Sequence, residues 1–202
     1  DAEQAIGAVV TQSFEGVEHK PLHKICVLQR GRFTHRPRND PRFFDGPYPF
    51  LQTADVVHAR GGKPGYKQTL NEEGFKVSRL FEPPVVLVTI AANIGDTALL
   101  DYPACFTDSI VGLMPNNEIL PKFLELMMRR HKEQLNASAP ALAQKNINLE
   151  ILRPLEIPVP SIPDQQAVLA EIGEHEARKA AAEAELAAAP NKKRQIFLEG
   201  LK

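Results

Sequence analysis

The sequence contains no tryptophan and only two cysteines among its 202 residues. Cys26 and Cys105 lie far apart and belong to no recognisable motif, which favours a reducing compartment such as the cytoplasm. The formal net charge is −1, so the chain as a whole lacks the positive excess of a general polyanion binder. It also lacks a signal-peptide pattern and any apolar run near the ~20 residues that a membrane span requires, and we expect no membrane partner.

Motifs of the common enzyme classes are missing as well. The segment Asp40–Phe43 matches the [ND]-P-P-[YF] loop of adenine methyltransferases only in part, because the second proline is absent. No glycine-rich cofactor loop, nuclease cluster or Ser–His–Asp set is present. His19, His23 and Cys26 have spacings that a zinc ion could use, but a fourth ligand is not evident. We therefore predict no catalytic residues, no metal and no cofactor, which favours a recognition module.

Seventeen prolines are present, and four of them stand close together before a long segment without proline. Proline fixes φ near the extended value and pushes the preceding residue toward an extended conformation. The intervening apolar residues should therefore lie along a stiff strap that docks on a neighbouring domain: Leu155, Ile157, Val159 and Ile162. Ser161 stands three residues before Asp164, the spacing of a capping box, and Pro163 is tolerated in a first turn. The sequence therefore predicts that the extended strap ends and a helix begins at Ser161–Asp164.

The predicted helix spans Gln165–Ala189, roughly 38 Å at 1.5 Å per residue, and Pro190 and Asn191 are predicted to end it before a short terminal helix. One face has heptad spacing, through Val168, Ile172, His175, Lys179, Ala182, Leu186 and Ala189. Ten alanines in this helix either permit close approach of a partner helix or reflect high helix propensity. Because a lone helix of this length needs something to pack against, we predict a coiled coil.

Positive charge is concentrated early in the chain. Seven lysines and arginines but one acidic residue, Asp40, lie between Lys20 and Arg42. Prolines and an asparagine make the end of this run a loop, which follows a strand predicted at Pro21–Phe33. A cationic loop of this kind contacts phosphates and base edges, and a solvated surface loop is the alternative.

A second basic segment, His58–Gln68, is rich in glycine and carries Arg60, Lys63, Lys67 and the exposed ring of Tyr66. It lacks the G-x-x-x-x-G-K-[ST] spacing of a phosphate-binding P-loop. It is either a basic loop that becomes ordered on nucleic acid or a plain connection.

The remaining pattern is mixed. Strands are predicted at Tyr48–Gln52, Val56–Val57, Phe75–Leu80 and Pro84–Ile90, and the last of these is continuously apolar and therefore buried. A helix is predicted at Asn117–Leu135, with a buried stripe formed by Phe123, Leu124, Met127 and Leu135. Asn93 and Asp96 flank a turn, where they either face a base edge or cap the turn. The fold class is α+β, with a β-rich domain, a few helices and a long C-terminal helix.

Three stretches resemble the specificity subunits of type I restriction–modification enzymes. The family's I-P-L-P-P-L-x-E-Q-Q run is matched by Ile157, Pro158, Val159, Pro160, Ile162, Gln165 and Gln166, with Ser161 and Asp164 as replacements. The G-x-T-P … Y-W-x-G-x-I-P-W-I … D-I stretch of target recognition domains is matched by Gly31, Phe44, Gly46, Pro49, Phe50 and Asp55, and Thr34 is the displaced threonine. A later strand and turn are matched by Ile94, Gly95, Ile110 and Pro115.

The resemblance covers nearly the whole chain from about Val17. It implies a DNA target recognition domain at 1–160 and, at 161–202, a spacer helix with a short terminal helix. The partners it implies are double-stranded DNA, an adenine-N6 methyltransferase subunit and a restriction subunit that combines motor and nuclease. Family members usually contain two recognition domains and two such helices, whereas this sequence has one of each. A homodimer through the C-terminal helix would then read a symmetric bipartite site.

This interpretation assigns two sets of residues. The DNA-binding set is Arg32, Thr34, Arg36, Arg38, Asn39, Arg42, Arg60, Lys63, Tyr66, Lys67 and Asn93. The partner-helix set is Val168, Ile172, His175, Lys179 and Leu186. One alternative is an excised C-terminal recognition domain of a fused methyltransferase or restriction enzyme, which the first residue, Asp1 in place of methionine, would fit. The other is a coiled-coil adaptor with no nucleic-acid role.

Overall fold

The computed structural model describes residues 14, 16–138 and 146–199, and in the last helix the side chains of 179, 183 and 185–199 lie outside the described set. The chain divides into two compact units. One unit spans Glu18–Ile162, and the other contains the C-terminal helix from Pro163 onward.

A four-stranded antiparallel sheet in the order β2–β9–β6–β7 forms the core of the first unit. Its strands are β2 (Cys26–Arg30), β6 (Val85–Thr89), β7 (Thr97–Leu100) and β9 (Ile110–Pro115). Every residue of β6 is buried, which confirms the strand predicted from the continuous valine and leucine run. We call this sheet the central sheet.

A second sheet has the order β4–β3–β8–β5, in which only β3 and β8 are parallel. Its strands are β3 (Phe44–Leu51), β4 (Gln68–Leu70), β5 (Leu80–Phe81) and β8 (Ala104–Phe106). Phe33 and Phe50 are both buried, and their ring centroids are 5.1 Å apart in a cluster that also contains Leu70 and Cys105. Aromatic packing thus anchors the start of the first basic loop, residues 32–42, to the second sheet.

Short helices connect and cover the sheets: α1 (Leu22–Ile25), α2 (Thr53–Ala59), α3 (Glu72–Lys76), α4 (Pro121–Arg130), α5 (Lys132–Ala137) and α6 (Leu149–Leu152). The stripe predicted on Asn117–Leu135 is confirmed, because Phe123, Leu124, Met127 and Leu135 are all buried. The helix begins later than predicted, with Pro121 as its first residue, and His131 separates it from the next helix. The mixture of sheets and short helices confirms the α+β class.

The proline-rich strap contains an extended strand, as predicted, but Ile162 already belongs to the helix that follows it. Strand β10 (Glu156–Pro158) pairs antiparallel with β1 (His19–Pro21), with Ile157 opposite Lys20. Ile157 is completely buried and Leu155 nearly so. Helix α7 (Ile162–Glu199) follows, with Pro163 in its first turn. Within the described part of the chain, no helix combines the length and the apolar character needed to cross a bilayer.

Four boundary predictions are wrong. Val56 and Val57 lie in α2, because Asp55 accepts a hydrogen bond from the Gln52 amide at 2.8 Å and so starts a helix. Most of Phe75–Leu80 is not strand, because the Asn71 side chain caps α3. The first part of Pro21–Phe33 is α1. Helix α7 continues through Pro190, where the flanking alanines have high helix propensity and a proline removes a single backbone donor.

Candidate nucleic-acid interface

Several of the predicted DNA-binding residues meet at one end of the central sheet. Strand β2 ends where β9 begins, since Arg30 lies opposite Val111. Strand β6 ends at the same place, since Thr89 lies opposite Ile110, and β7 begins there, since Thr97 lies opposite Val88. The loops that follow β2 and β6 and precede β9 and β7 therefore share this end, which we call the basic end.

Asp108 lies in the turn before β9, and its carboxylate forms ion pairs with arginines of the first basic loop. Arg38 Nη2 lies 2.7 Å from Asp108 Oδ1 and 2.9 Å from Oδ2. Arg36 Nη2 lies 3.4 Å from Asp108 Oδ2, and its Nη1 donates to the Phe33 and His35 carbonyl oxygens at 2.7 Å each. Arg30 Nε donates to the Asp108 backbone oxygen. About half of the Arg36 and Arg38 side-chain surface remains exposed to solvent.

Arg32 and Arg79 complete this cluster. Arg32 donates from Nε to the Ser78 carbonyl at 2.8 Å, and Ser78 Oγ donates back to the Arg32 carbonyl at 2.7 Å. Arg79 Nη1 donates to the Arg30 carbonyl at 3.1 Å. Gly31 permits the chain to pass close to the turn before β9, because a Cβ at Gly31 would lie 2.2 Å from the Thr107 carbonyl oxygen. Five arginines thus lie at the basic end, and two of them, Arg36 and Arg38, contact the Asp108 carboxylate. Guanidinium groups are well suited to phosphate contacts.

Asp40 organises the far end of the first basic loop. Its carboxylate accepts from Arg42 Nη2 at 2.7 Å and lies 3.1 Å from His35 Nε2. The hydrogen bond from Arg42 holds the pKa of Asp40 well below its usual range. The His35 ring packs 4.2 Å from the Phe43 ring, and the Arg42 guanidinium lies over that ring at 5.7 Å. Arg42 remains 74% exposed, so its charge is available to a partner.

Asn93 is exposed in the turn between β6 and β7, at the basic end. The completely buried Thr89 holds this turn: its hydroxyl donates to the Asn93 carbonyl and accepts from the Asp96 amide at 3.0 Å. The Asp96 carboxylate pairs with Lys132 Nζ at 2.7 Å. Asp96 is therefore engaged within the fold, while the Asn93 side chain faces solvent.

The second basic loop runs along the edge of β7. The Gly61 amide donates to the Thr97 carbonyl and the Leu99 amide donates to the Gly62 carbonyl, both at 2.9 Å. Arg60 is exposed at the Thr97 end, which is the basic end. Lys63 reaches the opposite end, about 13 Å away at 3.3–3.4 Å per residue, where it pairs with Asp101 at 2.9 Å. The structure thus separates Arg60 from Lys63, Tyr66 and Lys67.

Tyr66 lines a groove with a volume of about 760 Å³ beside Lys63. Its ring is 48% exposed and lies 5.8 Å from the Tyr102 ring. The Tyr102 hydroxyl donates to the Pro64 carbonyl at 2.7 Å, and burial raises the pKa of Tyr102 to about 12. The exposed Tyr66 ring agrees with the sequence prediction.

Two of the residues considered for zinc have other contacts within the fold. The Cys26 thiol donates to the Leu22 carbonyl at 3.2 Å, and burial raises its pKa to about 12. His23 Nδ1 is engaged with the Arg153 carbonyl at 2.9 Å. Among the described residues no group of three His, Cys, Asp or Glu side chains is arranged to hold a metal ion.

Comparison with known proteins identifies the family. Residues 15–184 match the family model described as the type I restriction modification DNA specificity domain. This chain belongs to that family.

Solved structures share the fold of this specificity domain. A chain from work on complex assembly and conformational transition of the type I R-M system superposes with a TM-score of 0.75 at 17% identity, covering 97% of this chain and 49% of that one. The HsdS subunit from Thermoanaerobacter tengcongensis gives 0.69 at 18% identity, covering 92% and 46%. The type IIG restriction endonuclease BpuSI gives 0.53 at 12% identity, covering 86% and 28%. The chain spans about half the length of the first two.

The partner-helix residues of this specificity domain differ in their environment. Val168 and Ile172 are buried within the chain, at 5% and 4% exposure, together with Gln165. His175 is partly exposed. The side chains of Lys179 and Leu186 lie outside the described residues, and the seam as a partner surface stays a prediction along its whole length.

Sequence reasoning missed three residues of the basic end of the specificity domain: Arg30, Arg79 and Asp108. Arg30 was counted in the basic run but was not assigned to the site. Arg79 and Asp108 stand far from the basic loop in sequence and in no motif. The pairing of β2 with β9 brings Asp108 to the loop, and the bridge between Phe33 and Ser78 brings Arg79 there. No local sequence pattern encodes either pairing.

Proposed function

We propose that this chain recognises a specific sequence in double-stranded DNA, as the specificity component of a type I restriction–modification system. In this role it catalyses no reaction itself. It directs an adenine-N6 methyltransferase subunit, and a restriction subunit that combines motor and nuclease, to the recognised site. Membership of the specificity-domain family and the similarity to HsdS support this function.

The observation that carries the proposal is the grouping of arginines at the basic end. Arg36, Arg38 and Arg60 lie on loops at one end of the central sheet and remain solvent-exposed. Arginines are suited both to bidentate phosphate contacts and to the guanine edge in the major groove, whereas Asn93 is suited to adenine. Loops on a rigid scaffold are the usual carriers of specificity.

The single recognition domain leaves two possible assemblies. Helix α7 has 38 residues and would be about 57 Å long at 1.5 Å per residue, a length suited to a spacer between two half-sites. Either a second copy of this chain supplies the other half-site through a helical dimer, or a second recognition domain lies on the same polypeptide. Light scattering over a range of concentrations, with and without the methyltransferase subunit, distinguishes these assemblies.

Selection of bound sequences from a random duplex pool, with the methyltransferase subunit present, tests the proposal. We expect one enriched motif that consists of two half-sites at a fixed spacing. The affinity for this motif should fall steeply as the salt concentration rises. A pool that shows no enrichment after repeated rounds would contradict sequence-specific recognition.

A second candidate is the recognition domain of a fused restriction enzyme. The similarity in fold to the type IIG endonuclease BpuSI favours it, because this chain covers 28% of that enzyme. The sequence upstream of Asp1 in the genomic reading frame separates the two candidates, since a fused enzyme would place methyltransferase motifs there. Salt-sensitive duplex binding would exclude the coiled-coil adaptor, which predicts no DNA affinity.

A further inference from the structure

Asp108 occupies a turn that is fixed by both sheets of the first unit. The Thr107 amide donates to the Leu51 carbonyl at 3.2 Å, at the end of β3. The Ile90 amide donates to the Ser109 carbonyl at 3.0 Å, at the end of β6, and the Ile110 amide closes the turn onto the Thr107 carbonyl at 3.1 Å. Thr107 and Ile110 are buried. These backbone hydrogen bonds hold the turn that carries Asp108, so the position of its carboxylate does not depend on the arginines.

The carboxylate leaves most of the arginine donors unused. Asp108 engages Arg38 only through Nη2, so the hydrogens on Arg38 Nε and Nη1 are not needed for this contact. Arg36 is held from two sides, by Asp108 and by the backbone carbonyls of Phe33 and His35. Both guanidinium groups are thus oriented while parts of them still face solvent.

We propose that Asp108 is a positioning residue for DNA discrimination, a role that rests on the proposed function. Its carboxylate orders Arg36 and Arg38 in the free protein. Binding of the specific duplex then loses less side-chain conformational entropy, which increases the affinity. Its negative charge also offsets part of the cluster's positive charge, which weakens the sequence-independent attraction to phosphates. Both effects increase the ratio of specific to non-specific affinity.

The experiment compares the wild-type chain with Asp108→Asn, using a duplex selected from the random pool and a scrambled duplex of the same length. Ordering a long side chain costs enough that losing it for two arginines should lower the affinity ratio by about tenfold. Affinity for the scrambled duplex should rise or stay unchanged. Glu73→Gln, which removes one carboxylate from the exposed Lys76 pair, is the matched control and should leave the ratio unchanged.

A double-mutant cycle decides whether Asp108 acts through the arginines. In a chain that already carries Arg36→Ala and Arg38→Ala, Asp108→Asn should no longer lower affinity for the selected duplex, and only the smaller charge effect on the scrambled duplex should remain. An equal change in both backgrounds, or no change in the wild-type background, would overturn the role proposed for Asp108.

If Asp108→Asn lowers the melting temperature, the variant Asp108→Glu provides the test instead. It keeps the charge but displaces the carboxylate, so it should lose discrimination without tighter binding to the scrambled duplex, and an unchanged ratio would again overturn the role.

The outcomes also separate this inference from the proposed function. A wild-type chain that binds the selected and scrambled duplexes equally contradicts both. A wild-type chain that discriminates, with no effect of Asp108→Asn, contradicts the role of Asp108 alone.

Discussion

Arg42 and Asp40 form a close ion pair, with Arg42 Nη2 2.7 Å from Asp40 Oδ2. Asp40 also accepts from the Arg42 amide at 3.1 Å and so caps the short 3-10 helix at Pro41–Phe43. Because the pair links two residues of one loop, it stabilises the conformation of that loop without needing any other element.

The Asp40 pair makes stability depend on pH. Its hydrogen bond with Arg42 lowers the pKa of Asp40 in the folded state, so the ionised carboxylate stabilises the fold at pH values above its unfolded pKa of about 3.9. This contribution is lost as the pH falls through the folded pKa. We expect Asp40→Asn to be less stable than wild type at neutral pH and the difference to shrink below about pH 4. Urea unfolding at several pH values measures it, and a difference independent of pH would contradict the assignment.

Replacing Arg36 and Arg38 by alanine should weaken duplex binding while leaving the melting temperature nearly unchanged. Removal of two phosphate contacts should make the slope of log K against log salt less steep by about 1.8. Lys24→Ala with Lys122→Ala is the matched control, because it removes two exposed cations that lie outside the loops of the basic end, on the helices Leu22–Ile25 and Pro121–Arg130. If the control weakens binding as much as the arginine variant, the basic end is not the DNA surface.

Arg60 and Lys63 should differ in their effect on binding, although both stand on the second basic loop. Arg60 is exposed at the basic end, whereas Lys63 is paired with Asp101 at the other end of β7. We expect Arg60→Ala to reduce the salt slope by about 0.9 and Lys63→Ala to have a smaller effect. Fluorescence anisotropy with a labelled duplex measures both. The opposite order would move the interface toward the Tyr66 groove.

Gly31→Ala should destabilise the fold at the origin of the basic loop. The new Cβ would lie 2.2 Å from the Thr107 carbonyl oxygen, and overpacking of this kind costs about 1–3 kcal/mol. Gly65→Ala is the control, because no atom lies within 4 Å of a Cβ there. Urea denaturation compares the two, and equal stability of both variants would contradict the close approach at Gly31.

Val168→Asp should lower the stability of the chain itself. Val168 is 5% exposed, so a carboxylate placed there loses solvation without a partner, at a cost of about 2–4 kcal/mol. The exposed neighbour Gln166, changed to Asp, is the control. Thermal melts monitored by circular dichroism test this. A Val168→Asp chain that melts like wild type but dissociates in light scattering would instead assign Val168 to an interface between chains.

The sequence predicted the parts of this structure that depend on local patterns. The apolar run of β6, the buried stripe of Phe123, Leu124 and Met127, and the extended strap were all found, because each depends on neighbouring residues. The sequence did not predict Val56 as helical, since two adjacent valines favour strand until a capping box outweighs them. Nor did it predict Asp108 beside Arg38, because these two residues are 70 positions apart and only the tertiary fold brings them together.

The pairing of β1 with β10 places the two ends of the first compact unit, Glu18–Ile162, side by side, since His19 lies opposite Pro158. A polypeptide whose two ends are neighbours can be replaced as a block without altering what flanks it. If the chain acts as proposed, exchange of the segment between these two strands for that of a relative should transfer the relative's sequence preference while the flanking residues stay unchanged.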